Sequence, residues 1–232
     1  MLKYLKEITL NSIISFSLNF MLIILVPYLM YAKQYLLALS ALAAVIISLT
    51  PAILRRNYNI NMPWGISFLV TLVLYLHTIG ISFRLYSRLP YYDVTLHIIG
   101  SMVVALLGFA IVYTMHFTKK VSLSIPLIGL FTVIFALAVG ALWEVGEFAA
   151  DQFLGTHAQP DNFDTMTDMI YDTVAGIITA IAAMFYVNNT PKTKLSEIIH
   201  PFDMLLSIKN KERFDKLSVR GHETYFERNE KG

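Results

Sequence analysis

Polar and apolar positions in this chain fall into blocks rather than into alternation. Six mainly apolar stretches follow one another: Asn11 to Ala32, Tyr35 to Leu54, Pro63 to Phe83, Asp93 to Met115, Leu123 to Ala150 and Met166 to Val187. Each reaches the roughly 20 residues that a helix needs to cross the hydrocarbon of a bilayer. The pattern predicts an all-α fold, a polytopic bundle of about six transmembrane helices over residues 1–187, followed by a tail over 188–232. Connections are short except Asp151 to Thr165, whose Gly, Pro, Asp and Asn predict an irregular loop. The first stretch follows Lys3 and Lys6 as a leader would, but it is too long and has no small-residue cleavage site, so it reads as a retained span. In the tail, Ile198, Ile199, Phe202, Met204, Leu205, Leu206 and Ile208 predict a short amphipathic helix along the interface. Residues 219–232 are too polar to pack a core and are expected to be mobile.

The loops set the expected orientation. Lys3 and Lys6, then Arg55 and Arg56, then Lys119 and Lys120, then Lys192 and Lys194 share one side; the other side carries Lys33, Arg84 and Arg88 and, in the fifth loop, no lysine or arginine. The positive-inside rule places both termini in the cytoplasm and the fifth loop outside, in a multi-pass protein of the cell membrane. Composition agrees: 56% hydrophobic and 15% charged residues with a mean hydropathy of +0.59 fit no ordinary soluble protein. The net charge of +2 averages a basic tail and an acidic centre and is no nucleic-acid signature. Without cysteine, disulfides, thiolate metal ligands and thiol nucleophiles are excluded.

Charge is where the pattern breaks. Between Lys120 and Lys192 there is no lysine or arginine, yet seven carboxylates lie there: Glu144, Glu147, Asp151, Asp161, Asp164, Asp168 and Asp172. Ionisable groups within a membrane cost several kcal/mol unless paired, hydrated or metal-bound, so acids without basic partners point to a cation. Helical spacing gathers them. Asp93 and His97 are i and i+4, Glu144, Glu147 and Asp151 are i, i+3 and i+7, and Asp164, Asp168 and Asp172 are i, i+4 and i+8. His77 lies six residues before the outer end of the third span, about 9 Å deep. Three polar stripes and His77 would face one another in the outer half of the bundle. Mixed carboxylate and imidazole ligands suit a divalent ion: Mg²⁺, Mn²⁺, Fe²⁺ or Zn²⁺. On this reading Glu144, Glu147, Asp164, Asp168 and His97 are ligands, while His77, His97, Asp93 and Asp172 carry catalysis or protons.

Plainer readings compete at several positions. His77 suits a hydrogen-bonded packing role. Asp161 and Asp164 suit capping of the sixth helix, and for Asp161 that outweighs catalysis. Asp151 fits the loop as well as the site, and His116 with Lys119 and Lys120 fits the headgroup region. Neither capping nor exposure accounts for Glu144, Glu147, Asp168 and Asp172 together. Small residues (Gly100, Ser101, Gly108, Gly140, Gly146, Ala149, Gly176, Ala180) recur in the fourth to sixth spans and predict close helix approach there.

The motifs LHTIG (Leu76 to Gly80), YYDVTLHIIG (Tyr91 to Gly100), ALWEVGEFAAD (Ala141 to Asp151) and FLGTHAQPDNFDTMTDMIYDTVAG (Phe153 to Gly176) resemble those of the YjdF-like family of integral-membrane proteins, a domain of unknown function that is distantly similar to VanZ-like proteins. The resemblance covers the third to sixth spans. It implies that His77, Asp93, His97, Glu144, Glu147, Asp164 and Asp168 belong together, and it implies no reaction. The chain departs from the family pattern after Gly155, where THAQPDNFD replaces a Gln-Gly-Asp followed by Trp-Asp; this bears on Asp161, not on Asp164 or Asp168.

Three function classes follow. The first is a metal-dependent membrane hydrolase or transferase acting on a lipid or lipid-linked phosphate at the outer leaflet, with Arg84 and Arg88 available to an anionic headgroup. No second acidic repeat of prenyl-transfer type and no Ser-His-Asp order is present. The second is a cation or proton-coupled transporter, which the single-sided placement of the acids disfavours. The third is an accessory membrane protein in which the site is structural.

Overall fold

The computed structural model describes residues 10–58, 60, 64–190, 195 and 199–206. Six long helices form: α1 (Leu10–Tyr31), α2 (Tyr35–Tyr58), α3 (Trp64–Ser82), α5 (Tyr92–Phe117), α6 (Ile125–Leu154) and α7 (Asn162–Asn189). A single-turn helix not expected from the hydropathy pattern, α4 (Leu85–Arg88), sits between α3 and α5. All six long helices are apolar and long enough to cross a membrane. Their outer faces carry Phe16, Leu39, Ile46, Leu142, Phe148, Ile170 and Phe185, exposed residues that water would not tolerate in such density. The protein is a multi-pass membrane protein.

Several boundaries differ from the hydropathy pattern, each for a local reason. α2 runs four residues further, through Pro51 to Arg55 and Arg56 in its last turn, where cations meet the negative end of the helix dipole. α6 reaches Leu154 and stops at Gly155, whose φ of 66° is the left-handed conformation that ends helices. The expected loop of Asp151 to Thr165 therefore shortens to residues 155–161. Asp161 accepts from the backbone N–H of Phe163 (2.9 Å) and Asp164 (3.0 Å), starting α7 four residues before Met166. Asp161 is the cap that the capping reading favoured, and Asp164 lies in the first turn behind it.

Two helical groups make up the bundle. α1, α2 and α3 pack on one another; α5, α6 and α7 form a tighter trio, joined to the first group through α3 against α5. Small residues bring the trio together as expected: a side chain at Gly108 would strike Phe135, and one at Gly176 would press on Ala136. Hydroxyls buried in the spans return to the carbonyl four residues back, as with Thr71, Thr78, Thr114 and Thr132, so they need no other partner. At the end carrying Lys119 and Lys120, Phe109, Tyr113, Ile128 and Ala183 close the trio into an apolar cluster that Leu195 and Ile199 complete. Residues 199–206 are helical, and Asp203 pairs with Lys120 at 2.7 Å, so this part of the expected interfacial helix docks on the bundle. Ile198, residues 207–232 and the basic N-terminal residues Lys3 and Lys6 lie outside the described residues.

Candidate functional site

Asp93 and His97 occupy the first turns of α5, while Glu144 lies ten residues before the end of α6. Asp168 and Asp172 lie six and ten residues into α7, or about 9 and 15 Å along its axis at roughly 1.5 Å per residue. Antiparallel neighbours joined through the 155–161 loop bring the end of α6 beside the start of α7, and α5 begins at the same end of the bundle. All five side chains meet. His97 stands at the centre, with Nε2 at 3.7 Å from Asp93 Oδ1, 3.8 Å from Asp168 Oδ2 and 4.0 Å from Glu144 Oε1. Its other nitrogen, Nδ1, is 3.2 Å from Asp172 Oδ1, which also accepts a 2.5 Å hydrogen bond from Ser101.

This arrangement assigns the two ring nitrogens different tasks. With Nδ1–H donated to Asp172, the lone pair of Nε2 faces three carboxylates, the way a ligating histidine is held by a carboxylate behind it. One atom each from Asp93, His97 and Asp168 lies within 4.8 Å of the others, so the trio can hold a metal ion. Glu144, Asp168 and Asp172 are buried (5%, 3% and 1% exposed), and Glu144 Oε1 and Asp172 Oδ2 have no hydrogen-bond partner. Among the described residues Asn19 Oδ1 in α1 shares this lack of a partner, so what distinguishes the cluster is the convergence of buried carboxylates on one histidine.

Surrounding residues hold the cluster in place. Gln159, from the 155–161 loop, donates to the Glu144 carboxylate (2.6 Å) and to its backbone carbonyl (2.9 Å). Asp151 anchors that loop by accepting from Thr156 Oγ1 and from the N–H groups of Ala158 (2.8 Å) and Gln159 (3.0 Å), a structural role rather than one in the site. Gly140 faces Asp172 so closely that a Cβ there would contact Oδ2.

His77, Glu147 and Asp164 lie beside the cluster and not within its tightest trio. They line a groove of about 900 Å³ whose walls come from α2, the end of α3, α4, α6 and the 155–161 loop, and which Asp93 also reaches. His77 Nδ1 is 2.7 Å from the Tyr86 hydroxyl, and its ring stands edge-on to Trp143 at 4.9 Å. Burial, reinforced by Asp93, pushes the Tyr86 phenol above its ordinary range, so it stays protonated and can donate to His77. Trp143 in turn donates to Glu147 Oε1 at 3.0 Å. A smaller cavity of about 250 Å³ shares His77, Tyr86, Asp93 and Trp143 with the groove and reaches His97, Ser101 and Asp172.

Ser101, Tyr86, Trp143 and Gln159 were not among the candidates from sequence. Ser101 follows His97 by four residues on the same face and was legible from spacing. Gln159 and Tyr86 come from irregular or single-turn segments, where no periodicity places a side chain.

No curated protein and no solved structure matches the chain. The family model described as "Predicted membrane protein (DUF2238)" matches residues 13–189, which contain all six long helices but for the first residues of α1 and every side chain of the cluster. The chain therefore belongs to this family of membrane proteins, the YjdF-like family that its motifs resemble.

Proposed function

We propose that the protein is a metal-dependent membrane hydrolase or transferase that acts on a lipid or lipid-linked phosphate at the outer leaflet of the cell membrane. The carrying observation is the set of distances around His97. Ligands about 2.1 Å from one ion stand roughly 3.4 Å apart in a tetrahedron and up to about 4.2 Å apart when opposed. The separations of 3.7, 3.8 and 4.0 Å from His97 Nε2 to Asp93, Asp168 and Glu144 exceed the tetrahedral spacing by only a few tenths of an ångström, so small side-chain shifts would close the set on an ion, and they are too long for hydrogen bonds. Mg²⁺, Mn²⁺, Fe²⁺ or Zn²⁺ would supply the missing charge and neutralise phosphate oxygens. Glu147, on the groove wall beside the cluster, would take the proton of an attacking water, and Asp172, 3.2 Å from His97 Nδ1, would hold His97 in the tautomer that ligates through Nε2. The alternating basic loops argue for the outer side.

An enzyme is favoured over a transporter because, among the described residues, the far end of the α5, α6 and α7 trio is packed with Phe109, Tyr113, Ile128 and Ala183. Elemental measurement of the purified full chain tests the reading. One divalent ion per chain is expected, with at least about tenfold weaker retention in Asp168→Asn, and phosphate release from lipid phosphate that stops on chelation. A parent chain without stoichiometric metal overturns it and leaves protonated groups as the counter-charge.

A further inference from the structure

The groove beside the cluster has the anatomy of a lipid site open to the bilayer. Along α6 its wall runs from Leu142 to Leu154, about 18 Å at roughly 1.5 Å per residue, more than half of the hydrocarbon thickness. The opposite wall is α2, which packs on α1 and α3 while α6 packs on α5 and α7. Leu39 (62% exposed) on α2 and Leu142 (69% exposed) on α6 line the groove and are open on the outer surface of the bundle. At the other end the lining turns polar with Asp93, Glu147, Asp164 and Arg84.

Arg84 is the permanent cation of this lining and has no ion pair among the described residues. It also sits at a φ of 56°, the left-handed conformation in which glycine is the unstrained choice and any other residue costs about 1 kcal/mol. Lys33, Tyr91 and Lys119 share that conformation, so it is the unpaired guanidinium, and not its backbone, that makes Arg84 the group of this lining able to hold a phosphate, beside Asp93, Glu147 and Asp164, which would repel one. On α6, Gly146 lines the same groove, and a Cβ added there would meet nothing within 4 Å.

We infer that this groove binds one lipid with a terminal phosphate, taken sideways from the bilayer between α2 and α6, with its chain along Leu39 and Leu142 and its phosphate on Arg84. The inference rests on the metal-site reading only for what happens to the phosphate; binding itself needs the groove and Arg84.

The test uses the full chain in phosphatidylcholine nanodiscs with and without phosphatidic acid, read by native mass spectrometry, with metal content measured on the same samples. Two variants separate the parts. Arg84→Gly removes the charge while relieving the backbone, and Gly146→Leu adds an apolar side chain to the groove from a position where a Cβ meets nothing within 4 Å, so both are expected to fold, which thermal unfolding of each checks. Phosphatidic acid should be retained by the parent over phosphatidylcholine, at least about tenfold more weakly by either variant, with metal content unchanged. Glycerol 3-phosphate, which has the head without the chains, should compete at least about tenfold less well than phosphatidic acid. Equal retention of both lipids by the parent, undiminished retention by Gly146→Leu or Arg84→Gly, or equal competition by glycerol 3-phosphate overturns the inference. A chain without metal that still selects phosphatidic acid supports the groove while removing the metal site.

Discussion

Two glycines of one helix should respond to the same substitution with opposite signs. In a helix interior, Gly→Ala ordinarily stabilises by about 0.5–1 kcal/mol, because alanine loses less backbone freedom on folding. At Gly146 nothing lies within 4 Å of the new methyl group, so that gain should appear undiminished. At Gly140 the methyl would fall on Asp172 Oδ2 and stand 3.0 Å from its Cγ. Asp172 cannot simply turn away, because its other oxygen holds Ser101 at 2.5 Å and His97 at 3.2 Å. Hydrogen bonds to a charged group are worth about 1.5–3 kcal/mol each, so losing both and gaining the helix preference leaves Gly140→Ala roughly 2–5 kcal/mol less stable. If the carboxylate stays, α6 and α7 must part, at the roughly 1–3 kcal/mol that overpacking brings. Thermal unfolding of the detergent-solubilised chain reads both variants: Tm should rise for Gly146→Ala and fall clearly for Gly140→Ala. A rise at both positions would refute the close approach of Gly140 to a fixed Asp172, and with it the role of Asp172 behind His97.

Three further outcomes follow from the same geometry. Asp161→Ala removes the α7 cap and should lower stability by about 1 kcal/mol while leaving metal content unchanged, seen in unfolding curves beside elemental measurement. Gln159→Ala strips the Glu144 carboxylate of its donor and should destabilise by about 1–3 kcal/mol, with faster hydrogen exchange across residues 155–161. Ser101→Ala leaves Asp172 with His97 alone; metal retention should weaken by about 10–100-fold, and an unchanged affinity would separate Ser101 from the site.

Hydropathy is a local quantity, so the helices could be read from the chain: a run of apolar residues has one way to satisfy its backbone inside a bilayer, and α1, α3 and α5 appear within two residues of the expected limits. Helical spacing likewise placed Asp93 with His97 on one face and Asp168 with Asp172 on another, and the alternation of successive spans put the start of α5, the end of α6 and the start of α7 at one end of the bundle. Asp161 was legible as a cap because its partners are the next N–H groups along the chain.

What spacing could not rank is which members of each stripe would touch. Five of the eight candidates meet at His97 because α5, α6 and α7 pack through small residues at particular rotations, and a rotation is set by the whole interface, not by any one stripe. The same packing turned Glu147 and Asp164 toward the groove, paired His77 with Tyr86, and gave Gln159 to Glu144 across a loop with no period to read. The sequence alone determined that this membrane protein carries acids without basic partners at one end of its bundle. Only the tertiary structure, by fixing helix rotation, decided that three of them surround one nitrogen of His97 while a fourth holds the other.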